Sequence, residues 1–476
     1  MQNKSMRENA FYNTIKQICT GLFPIITIPY TTRILGTENY GRVNFCISII
    51  SYFVLFAGLG IATYATRQSA ILKNNKKDLD KFTSQLFTTH IIMSIIALLL
   101  LFFLLLISKG LYQYSILLIV QSFMIIFNIF NIEWIYNAFE DYKYTTICTI
   151  IVQIISLIFL FTFVREPSDY IIYSIIYVIS YSGMYLLSFF NVKKYTKVKI
   201  TKHPNAIKHI LPMLILFSNE LMVTIYVNSD ITLLGILSND ENVGIYSVAV
   251  KAYTVFKRMF GAVIVVMLPR LSYYYIYDKK GKYNELLRKA FNCIILLIFP
   301  VSIGMLFISD ELMLLLGGKE YLVGSNSLRV LSIALIFSTI ANFYATSVML
   351  PSKQEKRLLL ITVISAVVNI GLNLIFIPKL GFLATALTTM IAEIIVAILS
   401  TLYSKKLFVP KIKLDFLIDI LIGIVAIIII CLFIEQFEFN YILKLILKVF
   451  LSVLMYTTVL LIRKNEIVIN IFKKKR

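Results

Sequence analysis

Polar and apolar positions along this chain sort into long blocks. Apolar runs near 20 residues alternate with short polar stretches, and the runs themselves show no residue-by-residue alternation. At 1.5 Å of helical rise per residue, about 20 residues cross the ~30 Å hydrocarbon layer of a bilayer. A transmembrane β-barrel would read instead as alternating segments of roughly 10 residues. The pattern predicts an all-α, polytopic membrane protein of about fourteen spans. They fall near 11–32, 43–66, 83–107, 115–136, 145–164, 170–190, 210–236, 245–269, 291–316, 326–350, 358–377, 382–403, 416–434 and 441–462. The connections are short, so any chemistry is expected within or across the membrane. The first ten residues are polar and no small-residue cleavage site follows, so the first span is expected to persist in the mature protein.

Composition agrees: 59% of the 476 residues are hydrophobic, against about 45–50% in a soluble protein. Charge then sets the orientation. With the N-terminus inside, 33 of the 46 Lys and Arg fall in inside segments. Six fall in outside loops: Arg33, Arg42, Lys109, Arg165, Lys319 and Lys379. This bias predicts both termini in the cytoplasm. The net charge of +21 is then a topology signal. Stretches such as "VKKYTKVKITKHPNAIKH" also attract anionic membrane lipids, at ~1 kcal/mol per basic residue near the surface. No folded domain carries these charges, so nucleic acid is not an expected partner. The five cysteines are scattered without a C-x-x-C pair, and His90, His203 and His209 form no ligand set. No metal, cofactor or redox role is expected.

A short repeat organises the chain. "ILGTENYG" (34–41) resembles "LLGILSNDENVG" (233–244). Leu35-Gly36 matches Leu234-Gly235, and, after an insertion, Asn39-x-Gly41 matches Asn242-x-Gly244. The latter offset carries Arg67 onto Arg270. The expected plan is a six-helix bundle over 1–200 and a second over 201–404. Two additional transmembrane helices and a basic cytoplasmic tail occupy 405–476. Parallel repeats of this kind surround a central cavity and rock to alternate access. The matched glycines and asparagines read as turn geometry. The first-half arginines at this turn have no second-half counterpart, which makes Arg33 the stronger candidate for lining the cavity.

Ionisable groups at the bilayer centre cost about 2.5–3.5 kcal/mol, so each one in a span is a candidate. Span seven carries Asp230 with Asn219, Glu220 and Asn228 nearby, a candidate cation or proton site. Span eight carries Lys251 and Arg258 seven apart on one helix face, suited to an anionic substrate, while snorkelling to the cytoplasmic interface accounts equally for Lys257 and Arg258. Asn369 and Asn373 share a face of span eleven and are candidates for a cation site or for helix bonding. Glu133 and Trp134 are candidates for holding substrate, with Trp134 equally an interface anchor. Arg329 and Glu393 are further candidates, and Lys444 and Lys448 mark a groove or a helix contact on the last span. No phosphate-binding glycine loop and no His-Glu zinc motif is present, so an enzyme or ATPase is not expected.

Several of these stretches together resemble a known family. "TRILGTENYG", "GLGIATYATR", "NSDITLLG…NVGIYSVAVK" and "VVNIGLNLIFIPKLGFLATALTT", with Pro24 and Pro29, resemble bacterial polysaccharide flippases of the O-antigen translocase (Wzx) type. The resemblance covers most of the chain. It implies translocation of an undecaprenyl-pyrophosphate-linked glycan from the inner to the outer leaflet of the bacterial cytoplasmic membrane, driven by a coupling cation (H+ or Na+), for O-antigen or capsule synthesis. A polysaccharide polymerase is an implied partner. Carried onto this chain, the resemblance marks Arg33, Arg42, Arg67 and Lys251 as pyrophosphate or acidic-sugar contacts and Asp230 as an ion-coupling group. The alternatives are a cation-coupled multidrug exporter and a lipid II flippase, which share the two-bundle plan.

Overall fold

The computed structural model describes residues 6–202, 204, 206–277, 280–465 and 467–469. His203 lies outside the described residues, as does the side chain of Asn219. The chain divides into two compact units, Met1–Gly235 and Ile236–Arg476. Among the described residues, both are built from helices.

The first unit begins with α1 (Met6–Gly58) and α2 (Ile61–Leu72), followed by α3 (Lys76–Ile107), α4 (Ser115–Asn128), α5 (Glu133–Ala138), α6 (Tyr142–Phe163) and α7 (Tyr170–Asn191). Nearly all of α8 (Ala206–Leu237) belongs to it as well. Among the described residues, thirteen helical segments are long and apolar enough to cross a membrane. The first, Phe11–Leu72, has 62 residues. Continuous helix of that length would measure about 93 Å, three times the ~30 Å hydrocarbon layer. Gly36 breaks it, with φ 70° and ψ 178°. The segment therefore supplies two crossings, which brings the thirteen segments to the fourteen spans read from the sequence. A left-handed φ costs an L-residue about 1–2 kcal/mol, and glycine avoids that cost. A second such bend, at Leu59 (φ 42°) and Gly60 (φ 70°), separates α1 from α2. Gly60 is also a close approach: a Cβ there would sit 2.9 Å from the Met213 carbonyl oxygen of α8.

The lysine-rich stretch after α7 does not hang free. Its backbone lies along α3 and takes side-chain partners at every fourth residue of that helix. The Lys197 N–H donates to Asp80 Oδ1 (2.8 Å), the Lys199 N–H to Ser84 Oγ (3.2 Å), and the Thr201 N–H to Thr88 Oγ1 (3.0 Å). The register has a physical basis. Two extended residues advance about 6.6 Å and four helical residues about 6.0 Å, so the two ladders stay nearly in step. Thr196 is buried and donates its hydroxyl to the same Asp80 oxygen (2.7 Å), while Lys193, Lys194, Lys197, Lys199 and Lys202 stay exposed. Tyr195 donates to Asp141; burial and this carboxylate both push its phenol up from the ordinary tyrosine range.

The second unit holds α9 (Asp240–Ile276), α10 (Lys280–Phe307), α11 (Ser309–Leu316), α12 (Ser325–Phe343), α13 (Glu355–Leu380), α14 (Phe382–Ser404), α15 (Leu414–Glu435) and α16 (Tyr441–Ile462). A π-helical stretch, Tyr344–Met349, extends α12. The last two helices are fixed to α10 and to each other. Tyr456 of α16 donates to the Leu296 carbonyl (2.7 Å), and the absence of a Cβ on Gly423 of α15 leaves room for the Tyr456 ring. Asp419 of α15 accepts from Arg463 and Asn465 beyond α16 (2.9 Å each). Lys448 bridges Glu311 and Glu435 at 2.6 Å each. The lysine pair on the last span thus makes a helix contact, because Lys444 also reaches Glu435 (3.2 Å).

The repeat seen in sequence reappears inside each unit. A six-residue 3-10 turn, Lys109–Tyr114, precedes α4, and another, Lys319–Gly324, precedes α12. Asn39 donates to the Pro167 carbonyl in the α6–α7 connection (2.9 Å), and Asn242 packs against Gly381 in the α13–α14 connection. The matched asparagines therefore tether one connection to another; they are not turn residues. The two glycines also part company. Gly36 makes the turn, whereas Gly235 lies inside α8, where a Cβ would overlap the Phe45 ring. The second-half turn falls at Ser238–Asn239, with Asn239 capping α9 through the Asn242 N–H (2.9 Å).

Candidate functional site

The candidate groups of the first unit lie on α1, α2, α5 and α8. Arg33 stands just before the Gly36 break; it is exposed and donates to the Pro29 carbonyl one turn back (2.6 Å). Arg42 stands just after the break, paired with Glu38 one turn away. Arg67 is exposed on α2. The helix between the break and α2, residues 37–58, spans about 33 Å at 1.5 Å per residue. Arg33 and Arg42 flank the break at one end of it, and Arg67 lies on α2 past the second bend at the other end. Glu133, at the start of α5, is engaged by Lys16 of α1. Lys16 was not singled out in the sequence, although a lone lysine in an apolar run is the signal that finds it. Trp134 is buried against Phe82 (ring centroids 6.3 Å), inside an apolar cluster with Leu79, Leu86 and Met213. It belongs to the core and is neither an interface anchor nor a surface for substrate.

Asp230 is buried on α8. Its helix neighbours make a polar seam with α1: Asn228 donates to Ser51 (2.9 Å), Thr232 donates to Ser48 (2.9 Å), and Tyr52 meets Thr232 at 3.3 Å. Further along α8, Thr63 of α2 donates to Glu220 (3.2 Å), and buried His209 lies between Tyr64 (3.0 Å) and Gln85 (3.2 Å). Asp230 is a buried carboxylate two residues from each α8 member of this seam, and a carboxylate is a group that a small hard cation or a proton relay uses.

In the second unit, Lys251 is half-buried on α9 and Arg258, two turns on, is exposed. Lys257 does not snorkel. Its ammonium meets Glu393 of α14 at 2.5 Å and lies 5.5 Å from the centroid of the Tyr253 ring. Tyr253 donates to the same carboxylate oxygen (3.1 Å). Sequence reading missed this pair because 136 residues separate its members. Asn369 and Asn373 are buried and bonded to each other (3.2 Å), and Thr388 of α14 donates to Asn373 (2.6 Å). This hydrogen-bonded set joins α13 to α14. Arg329 pairs with Asp310 (2.5 Å) at the start of α12. Asp230 belongs to the first unit and the two asparagines to the second.

Among the described residues, all-helical units with a repeated element order and charges set within long apolar segments describe a polytopic helical membrane protein. Solved structures share this fold. The lipid II flippase MurJ in an inward closed conformation is 19% identical, with 95% of this chain and 99% of that one covered and a TM-score of 0.76. An inward-facing MATE family multidrug resistance transporter is 14% identical, with 84% and 97% covered and a TM-score of 0.62. Sequence narrows the class. Residues 6–275 match the family described as "Polysaccharide biosynthesis protein", and the chain belongs to that family. A protein of Escherichia coli (strain K12) named for O-antigen transport is 23% identical over 405 residues, 84% of this chain and 96% of that protein. The capsular polysaccharide biosynthesis protein CapF of Staphylococcus aureus is 25% identical over 419 residues, 85% of this chain and 100% of that protein.

Proposed function

We propose that this multi-pass membrane protein is a flippase that carries a lipid-linked oligosaccharide across the bilayer for surface polysaccharide synthesis. The observation that carries the reading is the family match over residues 6–275, extended by relatives of nearly the same length that are named for O-antigen transport and capsule synthesis. The substrate would be an undecaprenyl-pyrophosphate-linked glycan taken from the inner leaflet of a bacterial cytoplasmic membrane, with both termini on the cytoplasmic side. A polysaccharide polymerase would receive the product.

The chemistry suits the residues. Pyrophosphate offers paired anionic oxygens that an arginine fork binds through two N–H groups at once. Arg67 at one end of the 37–58 helix and Arg33 and Arg42 at the other would contact the headgroup early and late in its passage. Lys251 and Arg258 would serve the second unit. Away from bulk water each contact is stronger, so a few cations suffice, and a dense cage would not release its cargo. Asp230 is the ion-coupling group in this reading, with H+ or Na+ as the coupling cation. Glu133 is the remaining substrate-binding candidate in this reading, and it already holds Lys16. The reading implies no covalent step.

The proposal is tested in the producing cell. Deleting the gene should leave lipid-linked repeat units accumulated on the cytoplasmic side and the surface polymer absent, and this chain should restore it. Unchanged surface polymer after deletion would overturn the reading.

A further inference from the structure

The Lys257–Glu393 pair lies at the midpoint of two long helices. Glu393 is near the middle of the 23-residue α14 and Lys257 near the middle of the 37-residue α9. Two charges at that depth are not needed for stability, because a buried ion pair is often matched by apolar residues of similar volume. The pair is also lopsided. The Glu393 side chain is 4% exposed, while that of Lys257 is 34% exposed. Tyr253 and Lys257 converge on one carboxylate oxygen, and the ammonium also lies near the Tyr253 ring. The lysine is therefore oriented by α9 and α14 while part of its side chain stays accessible, and its carboxylate partner is closed off.

We infer that Lys257 is an anion-binding residue for the pyrophosphate headgroup and that Glu393 is its built-in competitor. The inference rests on the flippase reading and adds a residue that reading does not contain. An incoming anion meets an ammonium that is already oriented, so little side-chain freedom is lost on binding. It must, however, draw that ammonium away from Glu393, which would be left buried without its cation. That penalty is absent before the anion arrives and is recovered when it leaves. Glu393 thus sets how loosely the headgroup is held, as a carrier that must release its cargo requires. An apolar or amide residue at 393 would remove the competitor and leave the cation.

The test uses the full-length protein in nanodiscs with a short-prenyl pyrophosphoryl sugar as probe, together with flipping in vesicles. Glu393→Gln is expected to bind the probe at least tenfold more tightly and to flip more slowly because release is retarded. Lys257→Gln is expected to bind it at least tenfold more weakly. Lys257→Gln/Glu393→Gln, which removes both charges and guards against a folding defect in either single variant, should bind as weakly as Lys257→Gln. Equal or weaker binding by a folded Glu393→Gln overturns the competitor role, and unchanged binding by Lys257→Gln overturns the anion site. Absence of probe binding to the unaltered protein, with export of a small cationic drug, would instead overturn the flippase reading and this inference with it.

Discussion

Replacing Lys448 with Met tests how the last two helices are held. Lys448 Nζ lies 2.6 Å from Glu311 Oε1, 2.6 Å from Glu435 Oε2 and 3.2 Å from the Phe307 carbonyl. The two carboxylates do not count equally. The Glu435 side chain is 57% exposed, so its share is that of a surface pair, about 0–1 kcal/mol. The Glu311 and Lys448 side chains are 5% and 4% exposed. Removing the lysine strands the Glu311 charge, at about 3–5 kcal/mol. At roughly 2–4 °C per kcal/mol for a unit of this size, Lys448→Met should lower the unfolding midpoint by on the order of 10 °C. Glu311→Gln/Lys448→Met removes both charges and should recover most of that loss, because no buried ion remains. Thermal unfolding of the purified protein in detergent, followed by circular dichroism, measures both. A drop of less than about 3 °C for Lys448→Met, or a double variant that loses as much as the single one, would refute the assignment of the Glu311–Lys448 pair as a desolvated staple.

Other consequences are as direct. Gly36→Ala should destabilise the first unit by about 1–2 kcal/mol in the same melt, since the break needs a positive φ; an unchanged midpoint would contradict the left-handed turn. Gly235→Ala should do the same for a different reason, and Phe45→Leu should relieve it by clearing the ring; a Gly235→Ala defect untouched by Phe45→Leu would contradict the close approach. Asp80→Ala frees the Thr196 hydroxyl and the Lys197 N–H from α3, so trypsin should cut at Lys197 or Lys199 at least several-fold faster; equal cleavage rates would show that the side-chain ladder does not hold the segment. A cysteine at Lys199 should react with an impermeant maleimide only from the cytoplasmic face and one at Lys319 only from the outside; the reverse pattern would invert the orientation.

Much of the fold is legible in the sequence because a bilayer reads composition. Each span must be apolar and near 20 residues, so block length alone locates it. The weak repeat at 34–41 and 233–244 likewise marks a turn between helices in each case, at Gly36 and at Ser238–Asn239. What the repeat could not convey is that its glycines differ. Gly36 and Gly235 share a motif, yet one is demanded by backbone torsion and the other by an aromatic ring from elsewhere in the chain. The charges were visible as exceptions in apolar runs, but their partners were not. Lys16 finds Glu133 across 117 residues, and Lys448 finds Glu311 across 137. No local period encodes such pairings, since they arise only once helices pack. Trp134 misled for the opposite reason: an interfacial tryptophan and a core tryptophan look alike in sequence, and only the packing against Phe82 separates them.

Flippase activity is measured most directly with purified protein in vesicles, by following a fluorescent polyprenyl-pyrophosphate oligosaccharide from one leaflet to the other with a membrane-impermeant quencher. Movement that depends on the protein and is lost in Arg33→Ala or Lys251→Ala, with folding intact, is the expected result. A glycolipid that stays in its original leaflet, while the same vesicles transport a small cationic drug, would contradict it.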